Sequence, residues 1–286
     1  MSEEPHDDQA SRPPFVRSWS DDGVRHIQLH RPDRLNAVSE ALYGDLEAAL
    51  EAAVSDPDAR CLLLSGAGRA FCAGADLKEH SSRERDHDQR RAYVWAGQRV
   101  NRLLQRTPQP VVAAVHGHAI GAGAELAISA DVIVCADDAR FSFPEVGLGT
   151  FVGGGASHRL PLLVGQIRAK QLLMLGRPLT GAEAAAWGLA TESVPGDHLD
   201  RRAAELAHRL AGQPQQSIRL AKEALGRAGS LALDEALVLE AEGLLACMGT
   251  ADWSDGVRRF GEPRPAAGDP DPDAAEPRAS DLQAGA

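Results

Sequence analysis

The chain has 286 residues, 43% of them apolar, and a formal net charge of −11; it can bury a sizeable core in one large domain or two small ones. Residues 1–14 carry −3 and residues 261–286 carry −4, so the body between the tails has no basic stripe of the kind that binds nucleic acid. No apolar run reaches the roughly 18 residues of a membrane span, and the acidic start MSEEPHDDQASRPP lacks the basic-then-apolar order of a secretion signal.

Residues 1–14 and 263–286, rich in Pro, Ala and acids, are expected to be disordered tails. Between them short apolar runs predict strands at 24–29 (VRHIQL), 61–66 (CLLLSG), 111–117 (VVAAVHG) and 131–136 (DVIVCA). Helical material follows each. Residues 40–53 space Leu42, Leu46, Ala49 and Leu50 on one face, and a helix over 88–105 stops at Pro108 and Pro110. After residue 197 the pattern turns to helices alone, one of them opening at Pro214. The organisation is therefore an α/β core over 15–196 and a helical region over 197–262. Cys61, Cys72, Cys135 and Cys247 are scattered without CxxC spacing, which suits reduced, packed thiols in the cytoplasm.

Two stretches place the smallest residues at a strand end and then begin a helix: Ala73-Gly74-Ala75 before Asp76, and Gly121-Ala122-Gly123-Ala124 before Glu125. Neither fits a phosphate-cradling loop. GAGAEL has Leu126, and GLGTFV has Val152, where GxGxxG needs its third glycine, and no GxxxxGK[ST] occurs. Ser65 lacks the first glycine of GxSxG. His116 and His118 would share a face if one strand held both, but no third metal ligand is evident. Residues 80–88 (HSSRERDHD) read as a solvated loop that could serve as a substrate lid.

What remains is backbone chemistry. Tight turns ending in helix starts expose N–H groups, and two facing turns could hold a carbonyl oxygen that becomes an oxyanion. Losing one donor of such a hole typically costs about 2.7–4 kcal/mol of barrier. Glu125 follows the second turn directly. Glu145 stands 20 residues later in FSFPEVGLG, a separation that lets one helix, one strand and a return loop bring both carboxylates to one pocket. Phe141, Phe143, Pro144 and Val146 would give Glu145 apolar surroundings, which raise a carboxyl pKa and suit it to proton transfer.

Over most of residues 15–265 the chain resembles the crotonase superfamily, the enoyl-CoA hydratase/isomerase group. The resemblance rests on RPDRLNAVS, RAFCAGADLKE, VHGHAIGAGAELAISADVIVCADDARFSFPEVGLG, GGGASHRL, LTGAEAAAWGLA and DGVRRFGEPRP, in that order. It implies a spiral of ββα turns, a C-terminal helical region that builds a homotrimer or a dimer of trimers, and acyl-CoA thioester substrates. No cofactor is implied beyond the coenzyme A of the substrate. The resemblance assigns the oxyanion hole to the N–H groups of Ala75 and Ala122, and catalysis to Glu125 and Glu145, with Glu125 activating water and Glu145 handling the proton at Cα. Ala73, Asp76, Leu77, Gly121 and Phe143 would contact substrate. Lys78, Arg34 and Arg264 would meet the coenzyme A end, Arg264 on a neighbouring subunit's substrate. Ala122, Val152, Ala156 and His158 depart from the usual residues. An enoyl-CoA hydratase is the reading that both glutamates favour; a Δ3,Δ2-enoyl-CoA isomerase or other crotonase reaction, or a non-catalytic acyl-CoA binder, is the alternative.

Overall fold

Asp22 and Gly23 both take positive φ, 41° and 79°, the two-residue turn whose twist matches a hairpin. It joins β1 (Val16–Asp21) antiparallel to β2 (Val24–Leu29) in a computed structural model that describes residues 12–82 and 86–261. The next element, α1 (Glu40–Ser55), starts at Ser39, whose side chain accepts from Leu42 N, and buries Leu42, Tyr43, Leu46, Leu50 and Ala53. β3 (Cys61–Gly66) is almost wholly buried, as befits a parallel strand covered on both faces.

Short α2 (Leu77–Ser82) and long α3 (His87–Arg106) follow. Asp86 and Gln89 form a reciprocal capping box at the start of α3, which ends at Arg106, two residues before Pro108. The stretch 80–88 is thus not one loop: residues 80–82 finish α2 and 87–88 open α3. β4 (Val111–Val115), β5 (His118–Ile120), α4 (Ala122–Ile128), β6 (Val132–Ala136) and β7 (Arg140–Ser142) come next. Then come α5 (Ala156–Val164), α6 (Gln166–Leu175), β8 (Leu179–Thr180), α7 (Gly181–Trp187) and β9 (Glu192–Val194). His116 and His118 do not share a strand, because Gly117 turns the chain at φ +56° between β4 and β5.

The main sheet runs β1-β2-β3-β4-β6-β9, parallel after the first hairpin, and a second sheet runs β5-β7-β8. Isolated parallel bridges Val38↔Ala75 and Cys72↔Ala119 continue the second layer toward the N-terminus. Each turn therefore lays one strand in the main sheet, one short strand or bridge in the second layer, and then a helix. Those are the ββα turns expected. α8 (Leu199–Ala211) packs on β2, β3, β4 and β6 with Leu199, Ala203, Ala207 and Ala211 buried.

The rest is helical: α9 (Gln215–Arg227), α10 (Leu233–Met248) and α11 (Ala251–Gly261). The chain divides into two compact units, Met1–Glu240 and Ala241–Ala286. In the first, Leu225, Leu233, Leu237 and Val238 are exposed; in the second, Leu244, Leu245, Trp253 and Phe260 are exposed. Cys61, Cys72 and Cys135 are buried thiols whose pKa burial pushes up to about 12. No helix among the described residues is long and apolar enough to cross a membrane.

Candidate active site

Asn36 builds the first turn. Its Oδ1 accepts from Arg31 N, and its Nδ2 donates to the carbonyls of Ala67, Ala70 and Phe71, fixing the approach to Ala73-Gly74-Ala75. Ala73 N donates to Leu35 O, Val38 N to Gly74 O, and Asp76 N to Val38 O. Ala75 N is skipped. It donates to no other residue among those described.

The second turn lies alongside. A Cβ on Gly74 would stand 2.5 Å from Ile120 O and 3.8 Å from Ala122 N, and Gly74 has φ +89°. Only glycine permits that approach. Gly121 N donates to Ser142 O, and α4 begins at Ala122, whose N–H likewise has no acceptor among the described residues. Both amides border a cavity of about 620 Å³.

Ala73, Ala75, Leu77, Gly121, Ala122, Glu125 and Glu145 all line that cavity. Glu125 is 5% exposed. Its Oε1 accepts from Gly153 N at 3.0 Å and Gly154 N at 2.7 Å. Burial raises its pKa to about 7; the two amide bonds oppose that rise and the charge of Glu145 adds to it. Glu145 is half-buried, and its Oε2 has no hydrogen-bond partner. Burial raises its pKa too. Gly121 makes room for this carboxylate, since a Cβ there would stand 2.7 Å from Glu145 Oε1.

The other expected site residues fall elsewhere. Phe143, just past the end of β7, is 1% exposed and absent from the cavity wall: it packs, like Phe141, into the core. Asp76 also stays off the wall. Its carboxylate pairs with Arg31 at 2.8 Å and accepts from Glu79 N, capping α2. Burial opposes ionisation there, but the Glu79 amide and Arg31 prevail and hold the pKa below the usual range. Arg34 and Lys78 are exposed and do not line this cavity; Arg264 lies outside the described residues. Val152 and Ala156 pack in or against the core rather than on the wall, and His158 is exposed.

Two contributions went unforeseen. Gly153 and Gly154 hold Glu125 across 28 and 29 residues, and Gly154 is small because a Cβ would meet Asn101 Nδ2 at 2.6 Å. Asn101 is itself held, donating to Gly97 O and accepting from Ser129 Oγ.

This arrangement has relatives. Residues 20–268 match the family model described as enoyl-CoA hydratase/isomerase. The 1,2-epoxyphenylacetyl-CoA isomerase of Escherichia coli is 35% identical over 253 residues, covering 86% of this chain and 95% of that protein. The short-chain-enoyl-CoA hydratase of Clostridium acetobutylicum is 34% identical, covering 84% and 92%. The crystal structure of an enoyl-CoA hydratase from Bacillus anthracis superposes with a TM-score of 0.82 at 33% identity, covering 86% of this chain and 95% of the other. Fold, family model and relatives agree: the chain belongs to the enoyl-CoA hydratase/isomerase family of the crotonase superfamily.

Proposed function

We propose that this protein is an enoyl-CoA hydratase, adding water reversibly to a 2-enoyl-CoA thioester. The observation that carries the reading is that two carboxylates, Glu125 and Glu145, border one cavity together with two unengaged amides, Ala75 N–H and Ala122 N–H. In the reaction the water oxygen bonds to Cβ, the double-bond electrons move toward Cα and the thioester oxygen, and a proton is then added at Cα. Charge on the thioester oxygen grows on the way, so amides aimed at it bind the transition state more strongly than the substrate.

The glutamates divide the protons. The charge of Glu145 helps to raise the Glu125 pKa, and two carboxylates lining one cavity disfavour ionising both. Glu125, oriented by the Gly153 and Gly154 amides, takes the proton from water as carboxylate; Glu145, with a carboxyl oxygen free of partners, delivers one to Cα. The acyl portion lies in the cavity, and the charged end of coenzyme A lies outside it, where Arg34 and Lys78 are exposed. No separate cofactor takes part.

Loss of enone absorbance from a short enoyl-CoA tests the reading. Glu125→Gln and Glu145→Gln should each slow hydration by about 10²-fold or more, and the double variant should be little worse than the slower single one. Near-normal hydration by Glu125→Gln would leave a one-carboxylate reaction, such as moving the double bond between Cβ and Cγ. The same reading includes a homotrimer or dimer of trimers, supported by the exposed apolar residues of α9 and α10; a monomer by light scattering at micromolar concentration would contradict it. A cytoplasmic location is supported by the buried thiols.

A further inference from the structure

Part of the cavity wall is one stripe of α3. Arg90, Tyr93, Val94, Gly97 and Asn101 line it at helical spacing, and α1 adds Tyr43. Asn101 is occupied by Gly97 and Ser129. Tyr43 is different. It is only 4% exposed, yet its hydroxyl makes no hydrogen bond to any described residue.

Gly97 shows where that hydroxyl sits. A Cβ at 97 would stand 2.9 Å from both Oη and Cζ of Tyr43. Glycine is unfavourable inside a 20-residue helix, and here it leaves the space that the phenol fills. The ring is fixed by a tilted contact with Tyr93 at 5.6 Å between centroids. Burial raises the phenol's pKa well above its ordinary value, so the group keeps its proton and can both donate and accept. The hydroxyl of a side chain so little exposed normally has a partner, and Tyr43 lines the cavity.

We propose that Tyr43 is a specificity-determining residue whose hydroxyl bonds an oxygen carried on the acyl chain beyond the reacting carbons, so that oxygen-bearing enoyl-CoA thioesters are preferred over plain alkyl ones of equal length. A plain alkyl chain strips water from the hydroxyl and returns no bond, and a site built for a hydrogen bond discriminates against the ligand lacking it. The proposal rests on the acyl-CoA reading of this cavity.

The experiment compares length-matched enoyl-CoA esters, one alkyl and one bearing a hydroxyl or keto group on the chain. Hydration gives the ratio of their kcat/KM values, and calorimetry gives the ratio of Kd values for the saturated, unreactive pair. The wild-type protein should favour the oxygenated ester at least about tenfold, and Tyr43→Phe should bring both ratios to about one. Gly97→Ala, which pushes the hydroxyl aside without removing it, should lower the ratios as well. Equal loss on both esters would give Tyr43 a role at the reacting carbons or in folding and overturn the proposal, as would a wild-type ratio near one. Selective binding without hydration would uphold Tyr43 and sink the hydratase reading alone.

Discussion

The two glutamates stand on opposite kinds of wall. Glu125 grows from α4, whose residues 123–128 are all buried, and its carboxylate is held by two backbone amides. Glu145 opens a stretch in which Val146, Leu148 and Phe151 are exposed, and one of its oxygens has no partner. One carboxylate is fixed by the main chain before substrate arrives; the other waits for something to fill the cavity. The difference shows how one fold makes two chemically identical side chains inequivalent.

The largest expected effect concerns stability. Glu125 titrates at about 7 in the folded chain against an ordinary 4.5. A raised folded pKa means its contribution is fully present below the unfolded value and is lost as pH rises through the folded one. Charging this buried group therefore costs roughly 3 kcal/mol by pH 8 and nothing at pH 4. Glu125→Gln should melt higher than wild type at pH 8, by on the order of 5–10 °C, with the gap closing as pH falls from 7 to 4.5. Glu145→Gln removes a repulsive neighbour, so it should lower the Glu125 pKa and pull in the upper end of that window. Equal melting temperatures at pH 8 for wild type and Glu125→Gln would mean that the Glu125 wall is wetter than its burial indicates.

Next in size is the glycine behind Glu125. Gly154→Ala puts a methyl 2.6 Å from Asn101 Nδ2 and 3.0 Å from Glu125 Cβ, and both neighbours are buried and hydrogen-bonded. The amide cradle must shift, and misplacement on the scale of 1 Å costs about 10²-fold in rate. Gly121→Ala meets only the flexible end of Glu145, but at φ +51°. Its damage should appear first as strain, of order 1–3 kcal/mol in stability. A Gly154→Ala variant with normal turnover would break the comparison, because the firm wall would then be yielding.

Much of this could be read from the chain, and the failures share a cause. The buried strands β3, β4 and β6 and the helices α1 and α3 announce themselves through apolar runs, caps and prolines. β1 does not, since all but Val16 of its residues are exposed; the Asp22-Gly23 turn was the available signal. β5, β7 and β8 are two or three residues long, too short for any periodicity. Both glutamates and both small-residue turns were legible because each is a local pattern. The Asn36 and Gly153–Gly154 contacts were not, because they close over about 30 residues. Phe143, which the resemblance placed on the substrate, is buried in the core instead, because which way a side chain faces is decided by packing between distant segments.

The smallest effect belongs to the open wall. Phe151 and Leu148 line the cavity yet are 65% and 58% exposed. A side chain so little buried loses few contacts when truncated, and surface substitutions usually stay within about 0.5 kcal/mol. Phe141→Ala, in the core, should instead cost about 3–5 kcal/mol. Phe151→Ala should therefore leave the melting temperature almost where it was. It should still raise KM several-fold for enoyl-CoA esters long enough to reach it, because apolar area covering the acyl chain is lost at about 25 cal/mol per Å². kcat should change little, since contacts made equally to substrate and transition state affect KM alone. A fall of many degrees in the Phe151→Ala melting curve would show this wall already packed without substrate, and the contrast between the two glutamates would then rest on hydrogen bonding alone.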